Sequence, residues 1–370
     1  MDIHSLLKAM VDQNASDLHL RVGCTPIFRV NGLLYRAQTE TVTNDMLNQF
    51  LSELISKRHL EQFKKENELD IGVGVKGVGR FRVNVFNQRG TPALAIRSIK
   101  FEVPAFSSLN LPEVILDIAT KNRGLILVTG TTGSGKSTLL ASMIDHINEN
   151  KAVNIITIED PIEFLYKNKK SAIAQREIGS DTQSFARALR GCFRQDPDVI
   201  LIGEIRDSNT METALSAADT GHLVMSTLHT MNAVETITRI VSFFPPHQHD
   251  QIRLILSNVL VAVISLRLIP RKDGKGRVPA AEVLINNAAI AEYILDPEKM
   301  NLIPEAVADG YNQYGSQTFD QSLQQLYKDE LITFQLALQY ASNPDDFQLK
   351  VADGVSGSSD RSWLDNGTGL

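Results

Sequence analysis

Cysteine is scarce in this chain. Its 370 residues include only Cys24 and Cys192, and neither belongs to a Cys-x-x-Cys pair. Two isolated thiols cannot supply a four-cysteine zinc site, and they suit a reducing compartment. We therefore expect a cytoplasmic protein.

Net positive charge and long uninterrupted apolar runs are also lacking. The formal charge of −6 leaves no overall electrostatic footprint for nucleic acid, so no nucleic-acid partner is expected, with a local basic groove as the alternative. The most apolar long segment, residues 252–270, is interrupted by Arg253, Asn258 and Arg267, which predicts a core helix rather than a membrane span. The polar N-terminus predicts no signal peptide.

The first 98 residues predict a small α+β domain. Five apolar side chains fall on one helical face over residues 3–13: Ile3, Leu6, Leu7, Met10 and Val11. Short strand patterns follow, with Asn31-Gly32 as a tight turn, and Thr43 is placed to cap a second helix that ends near Leu60. The glycine-punctuated, alternating stretch at 72–99 indicates a hairpin-rich sheet.

The remainder predicts a linker, an α/β domain and a tail. Residues 99–113, with two prolines and two serines, form the linker. Over residues 114–350 the apolar strand cores GLILVTG, NIITIED, DVILIGEI and HLVMSTLH alternate with helical patterns, which indicates a parallel sheet with helices on both faces. Residues 351–370 are rich in Gly, Ser and Asp and predict disorder, with a docking peptide around Trp363 as the alternative.

The stretch GTTGSGKS fits G-x-x-x-x-G-K-[ST] and lies between a predicted strand and a predicted helix. Glycines let backbone N–H groups surround phosphate oxygens, Lys136 adds a positive charge, and the Ser137 hydroxyl is a Mg²⁺ ligand. The sequence therefore predicts a nucleoside triphosphate site. Its residues are Gly130, Thr131, Thr132, Gly133, Ser134, Gly135, Lys136, Ser137 and Thr138.

Carboxylates stand at the ends of two further predicted strands. NIITIEDPIEF ends with Glu159, Asp160 and Glu163, and DVILIGEIRD is predicted to end at Glu204, where many P-loop proteins carry Asp. Acids at this edge of a parallel sheet lie where ligands bind, so they can hold Mg²⁺ and its waters or activate water. Helix capping and surface solvation are the alternative.

Four signatures stand in a fixed order: GTTGSGKST, TIEDPIEF, QREIGSDTQSFARALRGCFRQDPDVILIGEIRD and AADTGHLVMSTLHT. They resemble the Walker A, Asp box, Walker B and His box of the secretion ATPase superfamily. The N-terminal SDLHL and GRFRVNVFNQRG and the C-terminal QTFDQSL are similar to the type IV pilus retraction ATPases, the PilT family. The resemblance covers nearly all of residues 1–350.

This resemblance implies a RecA-like ATPase domain preceded by a small PAS-like α+β domain. It also implies a homohexamer that hydrolyses ATP with Mg²⁺ and docks, from the cytoplasm, on the inner-membrane platform protein of a type IV pilus. Pilus disassembly and twitching motility are the expected output, and a paralogous pilus ATPase is a further candidate partner. The absence of a tetracysteine site and of an extra N-terminal domain favours retraction over extension.

The resemblance also suggests roles for single residues. It points to Glu163 as general base and to Glu204 near the metal, with Ser137 and Asp160 as further Mg²⁺ ligands, although the motifs alone do not fix which glutamate does which. Four more residues are implied as phosphate clamps or γ-phosphate sensors: Arg82, Arg97, His222 and His229. A solvated sheet face is the alternative for the arginines, and a core position for the histidines. Thr227 and His229 are at the end of their predicted strand, where P-loop sensors lie. Further candidates, which flank the predicted catalytic strand, are Arg190, Arg194 and Arg206.

One departure from the family pattern falls at residues 289–296. Retraction ATPases usually read AIRNLIRE there, whereas this chain has Ala291 and Leu295 in place of both arginines. We expect intact hydrolysis with altered coupling to the pilus, with lineage drift as the alternative. Two other functions stay open: an accessory pilus or secretion ATPase of the same superfamily, and a nucleotide-dependent scaffold with little turnover.

Overall fold

The computed structural model describes residues 1–30, 32–99 and 103–355, except for the side chains of Lys350 and residues 352–355. Asn31 of the predicted turn, residues 100–102 of the predicted linker, and residues 356–370 of the predicted tail, with Trp363, lie outside the described residues. The chain divides into two compact units. The first comprises Met1–Pro104, Ile144–Ile205 and Glu212–Ala214, and the second Ala105–Met143, Arg206–Met211 and Leu215–Leu370.

Strands and helices alternate along most of the chain. The strands are β1 (Asp17–Arg21), β2 (Ile27–Val30), β3 (Leu33–Arg36), β4 (Glu68–Val75), β5 (Gly79–Gln88), β6 (Thr91–Ile99), β7 (Gly124–Thr129), β8 (Asn154–Glu159), β9 (Ala172–Glu177), β10 (Val199–Ile202), β11 (Leu223–Leu228), β12 (Leu260–Pro270) and β13 (Arg277–Ile285). The helices are α1 (Ile3–Asp12), α2 (Asn44–Leu54), α3 (Lys57–Glu66), α4 (Val114–Ala119), α5 (Lys136–Asn150), α6 (Phe185–Cys192), α7 (Ser208–Asp219), α8 (Ala233–Ser242), α9 (His249–Val259), α10 (Ala288–Leu295), α11 (Ile303–Asp309), α12 (Tyr311–Tyr314), α13 (Phe319–Lys328), α14 (Phe334–Tyr340) and α15 (Pro344–Val355).

The N-terminal part of the first unit is an antiparallel sheet in the order β3-β2-β1-β6-β5-β4. Alternation along its strands sends one set of side chains into a core shared with α1, α2 and α3, including Leu18, Phe81 and Ile96. The opposite face carries polar residues. Val11, which the helical pattern placed with the core, is instead 42% exposed at the edge of the α1 stripe.

The predicted helix from Thr43 to about Leu60 is two helices. Thr43 accepts a hydrogen bond from Met46 N and caps α2, as expected. The chain then turns through an extended Ile55, and Ser56 accepts a hydrogen bond from His59 N to cap α3. The apolar pattern continues through both helices, but Ser56 begins a new helix, so α2 ends before it.

The first unit also contains β8, β9, β10 and α6. Strand β8 pairs in parallel with β10 on one side and with β9 on the other. Strand β10 ends at Ile202, two residues before the predicted end at Glu204, so Glu204 follows the strand. Strand β9, with the sequence AIAQRE, did not stand out as apolar because it is an edge strand in which only Glu177 is buried.

The second unit holds four strands in the order β13-β12-β7-β11. Strand β7 pairs in parallel with both β11 and β12, whereas β12 and β13 are antiparallel. Every residue of β7 and of β11 is buried, as continuous apolar strand cores predict. The α/β fold class is confirmed, and so is the α+β character of the N-terminal part, whose likeness to a PAS domain stays a prediction.

Two sequence expectations in the second unit are corrected. Residues 252–270 do not form one core helix: α9 ends at Val259, and β12 begins at Leu260 without a break in apolar character. Helix α15 runs to Val355, past the predicted start of the tail at 351. Among the helices that the structure describes, none has the length and apolar character needed to cross a bilayer.

Candidate nucleotide site

The phosphate-binding loop predicted from the sequence connects β7 to α5 in the second unit. Gly130, Gly133 and Gly135 adopt φ values of 137°, 77° and 99°, a region that favours glycine. At Gly130 a Cβ atom would lie 2.5 Å from the carbonyl oxygen of Leu266 and 2.6 Å from Ser134 Oγ. The loop is therefore shaped in a way that only glycine allows at its first position.

Two polar side chains in this loop are buried. Lys136, 8% exposed, donates hydrogen bonds from Nζ to the carbonyl oxygens of Gly130 at 2.7 Å and Thr131 at 3.0 Å. The Ser134 hydroxyl is buried without a hydrogen-bond partner among the described residues. An unsatisfied buried hydroxyl is costly unless a ligand supplies its partner, so the loop fits a phosphate group.

The residues after β11 lie beside this loop. The parallel register pairs Leu228 with Thr129, so His229 and Gly130 leave neighbouring strands at the same level. Thr227 is buried within β11, whereas His229 is exposed. Thr227 and His229 thus occupy the edge where a γ-phosphate sensor would have to be, and the sensor role stays a prediction.

His222 lies at the other end of β11. Its Nδ1 is 3.0 Å from the carbonyl oxygen of Ala217, at the C-terminal end of α7. A carbonyl oxygen only accepts, so Nδ1 carries the proton in this hydrogen bond. His222 therefore contributes to the α7–β11 turn, which favours the structural alternative for this residue.

A series of buried hydrogen bonds supports the base of the loop. Thr129 Oγ1 donates to Ser265 Oγ at 2.9 Å, Ser265 donates to Glu282 Oε2 at 3.3 Å, and the same carboxylate oxygen accepts from Ala233 N at 2.7 Å. Burial raises the pKa of Glu282, against the hydrogen bond from Ala233. These hydrogen bonds connect the end of β7 to the start of α8.

An acidic segment at the end of β8, residues 159–163 (the acidic loop), lies in the first unit. Glu159, 8% exposed, accepts hydrogen bonds from Thr157 Oγ1 at 2.7 Å, Gln175 Nε2 at 3.3 Å and Glu163 N at 3.3 Å. Burial raises the pKa of Glu159, although these donors oppose the shift. Glu159 therefore holds the backbone of Glu163, whose own side chain is exposed.

Gly203, the first residue after β10, lies close to the end of β8. Its amide donates to the carbonyl oxygen of Ile158 at 2.8 Å, and a Cβ at this position would lie 3.3 Å from Glu159 Cα. A side chain at 203 would press against the end of β8. The half-buried Glu204 is the first position after β10 that can carry a carboxylate without that contact.

Arg82 is close enough to the acidic loop for the charges of that loop to change the pKa of its guanidinium. Its guanidinium forms a two-pronged ion pair with Asp70, with Nη2 at 2.6 Å from Oδ2 and Nε at 3.0 Å from both oxygens. The hydrogen bond to Asp70 raises the pKa of Arg82, and the charges of Asp160 and Glu163 raise it further. Within the first unit, Arg82 therefore interacts electrostatically with Asp160 and Glu163.

Arg97 pairs directly with Arg82 in the β5–β6 register, as expected for neighbouring strands. It donates from Nε to Asp17 Oδ1 at 2.8 Å, while its side chain is 67% exposed. Burial alone would raise the pKa of Asp17, but hydrogen bonds from Ser16 and Arg97 lower it. The other candidate arginines, Arg190, Arg194 and Arg206, are exposed.

The carboxylates that hold these arginines did not emerge from the sequence. Asp70 and Asp17 become partners only through cross-strand register, which short motifs do not specify. Within the described part of the chain, no group of three or more His, Cys, Asp and Glu side chains is arranged to hold a metal ion. Ser137, Glu204 and Asp160 remain candidate ligands for a Mg²⁺ that arrives with a nucleotide.

Comparisons with known proteins agree with this geometry. Residues 1–323 match the family described as type II/IV secretion system protein. The type IV pilus ATPase PilU of Pseudomonas aeruginosa is 38% identical over 360 residues, covering 97% of this chain and 94% of that protein. PilT of the same organism, a type IV pilus retraction ATPase, is 42% identical over 347 residues, covering 94% and 100%.

A solved structure is similar over the same length. The crystal structure of the pilus retraction motor PilT with bound ADP aligns with a TM-score of 0.87 at 45% identity, covering 94% of this chain and 99% of that one. Sequence and backbone geometry therefore point to one family.

Proposed function

The chain belongs to the type II/IV secretion system protein family and is an ATP hydrolase, and from this premise we propose that it is a hexameric, Mg²⁺-dependent motor for type IV pilus retraction. The observation that carries the proposal is its similarity to PilT along almost the whole of both chains. The glycine loop with its unsatisfied Ser134 hydroxyl adds support, since the similar PilT structure contains ADP.

In the proposed reaction, loop N–H groups and the Ser134 hydroxyl bind phosphate oxygens, and Lys136 leaves its loop carbonyls to neutralise the β- and γ-phosphates. When bound, Mg²⁺ would neutralise part of the phosphate charge. Ser137, Glu204 and Asp160 would hold it directly or through its waters. Glu163 would orient the attacking water and accept its proton.

Arginines would couple this chemistry to movement. In the described arrangement Arg82 is held by Asp70 and Arg97 by Asp17, both on their own sheet. Transfer of either guanidinium from carboxylate to phosphate would stabilise transition-state charge only in a closed arrangement. Hydrolysis would then favour one arrangement of the N-terminal sheet, which is how a ring could perform mechanical work.

A specific observation keeps an accessory role as the second candidate. PilU is similar to 97% of this chain at 38% identity, which is close to the 42% identity with PilT. The missing arginines at Ala291 and Leu295 also suit a motor that couples to the pilus through a different surface. A secretion ATPase and a low-turnover scaffold are the remaining alternatives, and steady-state phosphate release separates the scaffold from any motor.

The proposed setting follows from the same similarity. We propose a homohexamer in the cytoplasm, docked at the inner-membrane base of the pilus on the platform protein, with a paralogous pilus ATPase as a second partner. No nucleic-acid partner is proposed, because the formal charge of −6 opposes binding to a polyanion.

Complementation of pilus-retraction mutants tests the proposal. The chain should restore twitching to a strain that lacks its primary retraction ATPase, and Lys136→Ala should not, because it removes the counter-charge for phosphate. Lys121→Ala, at an exposed lysine outside the loop, is the matched control. Restoration only when another retraction ATPase is present would instead assign the accessory role.

A further inference from the structure

A buried carboxylate at the end of β9 connects two parts of the first unit. Glu177 is 1% exposed, and its two oxygens accept hydrogen bonds from four donors. Oε1 accepts from Gly72 N at 2.9 Å and from Ser180 Oγ at 3.4 Å. Oε2 accepts from Arg80 Nη2 at 2.8 Å and from Ile162 N at 3.1 Å.

Three of these donors come from two separate parts of the first unit. Gly72 lies on β4 and Arg80 on β5, so they belong to the N-terminal sheet. Ile162 belongs to the loop after β8 and immediately precedes Glu163, the proposed general base. One carboxylate group thus contacts the N-terminal sheet and the segment that carries the base.

The approach of the sheet to Glu177 depends on a glycine. A Cβ atom at Gly72 would overlap both carboxylate oxygens of Glu177 and would lie 2.8 Å from Arg80 Nη2. The φ angle of Gly72 is not in the left-handed region, so space rather than backbone conformation requires glycine here. Glycine at this position therefore allows the sheet to contact the carboxylate.

The contact is also incompletely satisfied. Arg80 Nε is buried and has no hydrogen-bond partner within the part of the chain that the structure describes. A buried charged pair with an unused donor is less favourable than a fully bonded one, so it can separate more readily. The acidic loop has a second anchor, Glu159, which accepts from Glu163 N. Among the described residues, the other donors to the Glu159 side chain are Thr157 and Gln175, and neither belongs to the N-terminal sheet.

We propose that Glu177 is a positioning residue that makes the alignment of Glu163 depend on docking of the N-terminal sheet. With Arg80 and Gly72 in place, the Glu177 carboxylate is fixed and holds Ile162 N, and Glu163 follows next along the chain. When the sheet moves away, the carboxylate loses its counter-charge and the loop loses that anchor. The inference rests on the proposed role of Glu163 as general base.

The test separates turnover from binding in the full-length protein. Glu177→Gln and Arg80→Gln should each lower kcat at least about tenfold while the affinity for ADP changes less than about twofold, because only alignment is lost. The double variant should be no slower than either single variant, since both remove the same contact. Arg80→Lys keeps the charge and should restore at least half of the lost rate.

Gly72→Ala provides a variant that changes no charge. It should reduce kcat like Arg80→Gln, whereas Gly74→Ala, on the same strand with open space around its Cβ, should not. This pair decides the question if Glu177→Gln fails to fold, as judged by circular dichroism and thermal unfolding. A normal kcat in folded Gly72→Ala and Arg80→Gln, or rate losses that multiply in the double variant, would overturn the proposal.

The result is independent of the motor assignment. Phosphate release is measured on the isolated protein, so failure to restore twitching would contradict pilus retraction and leave this coupling intact. Glu163→Gln tests the general base itself. If this variant hydrolyses ATP normally while Glu177→Gln is slow, Glu163 is not the general base, and the proposed role of Glu177 is wrong as well.

Discussion

At the scale of single residues, both arginines expected to clamp phosphate are already paired with carboxylates. The Arg82–Asp70 side chains are 40% and 38% exposed, and Arg97 is 67% exposed. Exposed pairs of this kind contribute about 0–1 kcal/mol, so a phosphate group can displace the carboxylate at little cost. The aspartates therefore orient the arginines without preventing their release.

This arrangement predicts opposite effects at the two partners of one pair. Arg82→Ala should lower turnover more than nucleotide affinity, because its phosphate contact belongs to the closed state. Asp70→Asn should raise kcat by up to about fivefold while ATP affinity changes less, since about 1 kcal/mol of interaction that competes with the closed state is removed. Equilibrium binding and phosphate release measure both. Arg36→Ala, on exposed β3, is the control, and a lower kcat in Asp70→Asn would contradict the idea.

Glu163 and Glu204 give a second residue-scale prediction. Glutamine keeps size and removes charge, so ATP should still bind to each variant while hydrolysis falls by about 10² or more, the scale of general base catalysis. Nucleotide binding is measured beside turnover, with Glu61→Gln on α3 as an exposed control. Normal hydrolysis by either variant means that its residue has no catalytic role.

How far the sequence predicts such residues depends on how local their contacts are. The loop from Gly130 to Ser137 was predictable because its function lies in consecutive backbone groups and one lysine. Asp70 and Glu177 were not predictable, because their partners come from other strands and depend on register. Strand alternation did place Arg80 and Arg82 on one face of β5, which was the available signal.

At the scale of elements, apolar runs identified strands but not always their limits. The segment 252–270 stays apolar through the change from α9 to β12, and such a run does not distinguish helix from strand by periodicity. The β-branched Val261, Val263 and Ile264 were the signal for a strand. Strand β9 was missed because alternating polar residues at the sheet edge resemble a loop.

Helix α10 carries the prediction about the missing arginines. Ile290 and Ile294 anchor it in the core, and Asn287 caps it by accepting from Ile290 N. Leu295 is 44% exposed and Ala291 is half-buried, so both positions can take arginine without opening the core. The double change Ala291→Arg with Leu295→Arg should therefore leave the ATPase rate within about twofold, as most surface substitutions do.

The same double variant should increase retraction if coupling runs through this helix. Retraction is scored by twitching in the complemented strain, beside the ATPase rate of the purified protein. Leu349→Arg, at a 66% exposed position on α15, controls for added charge alone. Unchanged twitching at an unchanged ATPase rate would assign the departure to drift.

At the scale of the whole molecule, each compact unit is built from several separate segments of the chain. The predicted division into residues 1–98 and 114–350 remains a prediction, whereas Ile144–Ile205 belongs to the same compact unit as Met1–Pro104. Contacts such as Glu177 with Gly72 and Arg80 hold that first unit together. Through Glu177, the acidic loop is therefore connected by hydrogen bonds to the N-terminal sheet.

Assembly is the last prediction. Because each chain carries a formal charge of −6, bringing six together costs electrostatic repulsion that bound Mg²⁺ and arginine–phosphate contacts must offset. We expect light scattering with ATP and Mg²⁺ to detect a species near six times the 40.9 kDa chain mass, and smaller species when EDTA removes the metal. Lys136→Ala should weaken the nucleotide dependence, whereas Lys121→Ala should not. A monomer that persists with ATP and Mg²⁺ at micromolar concentration would contradict the ring, and the arginines would then act within one chain.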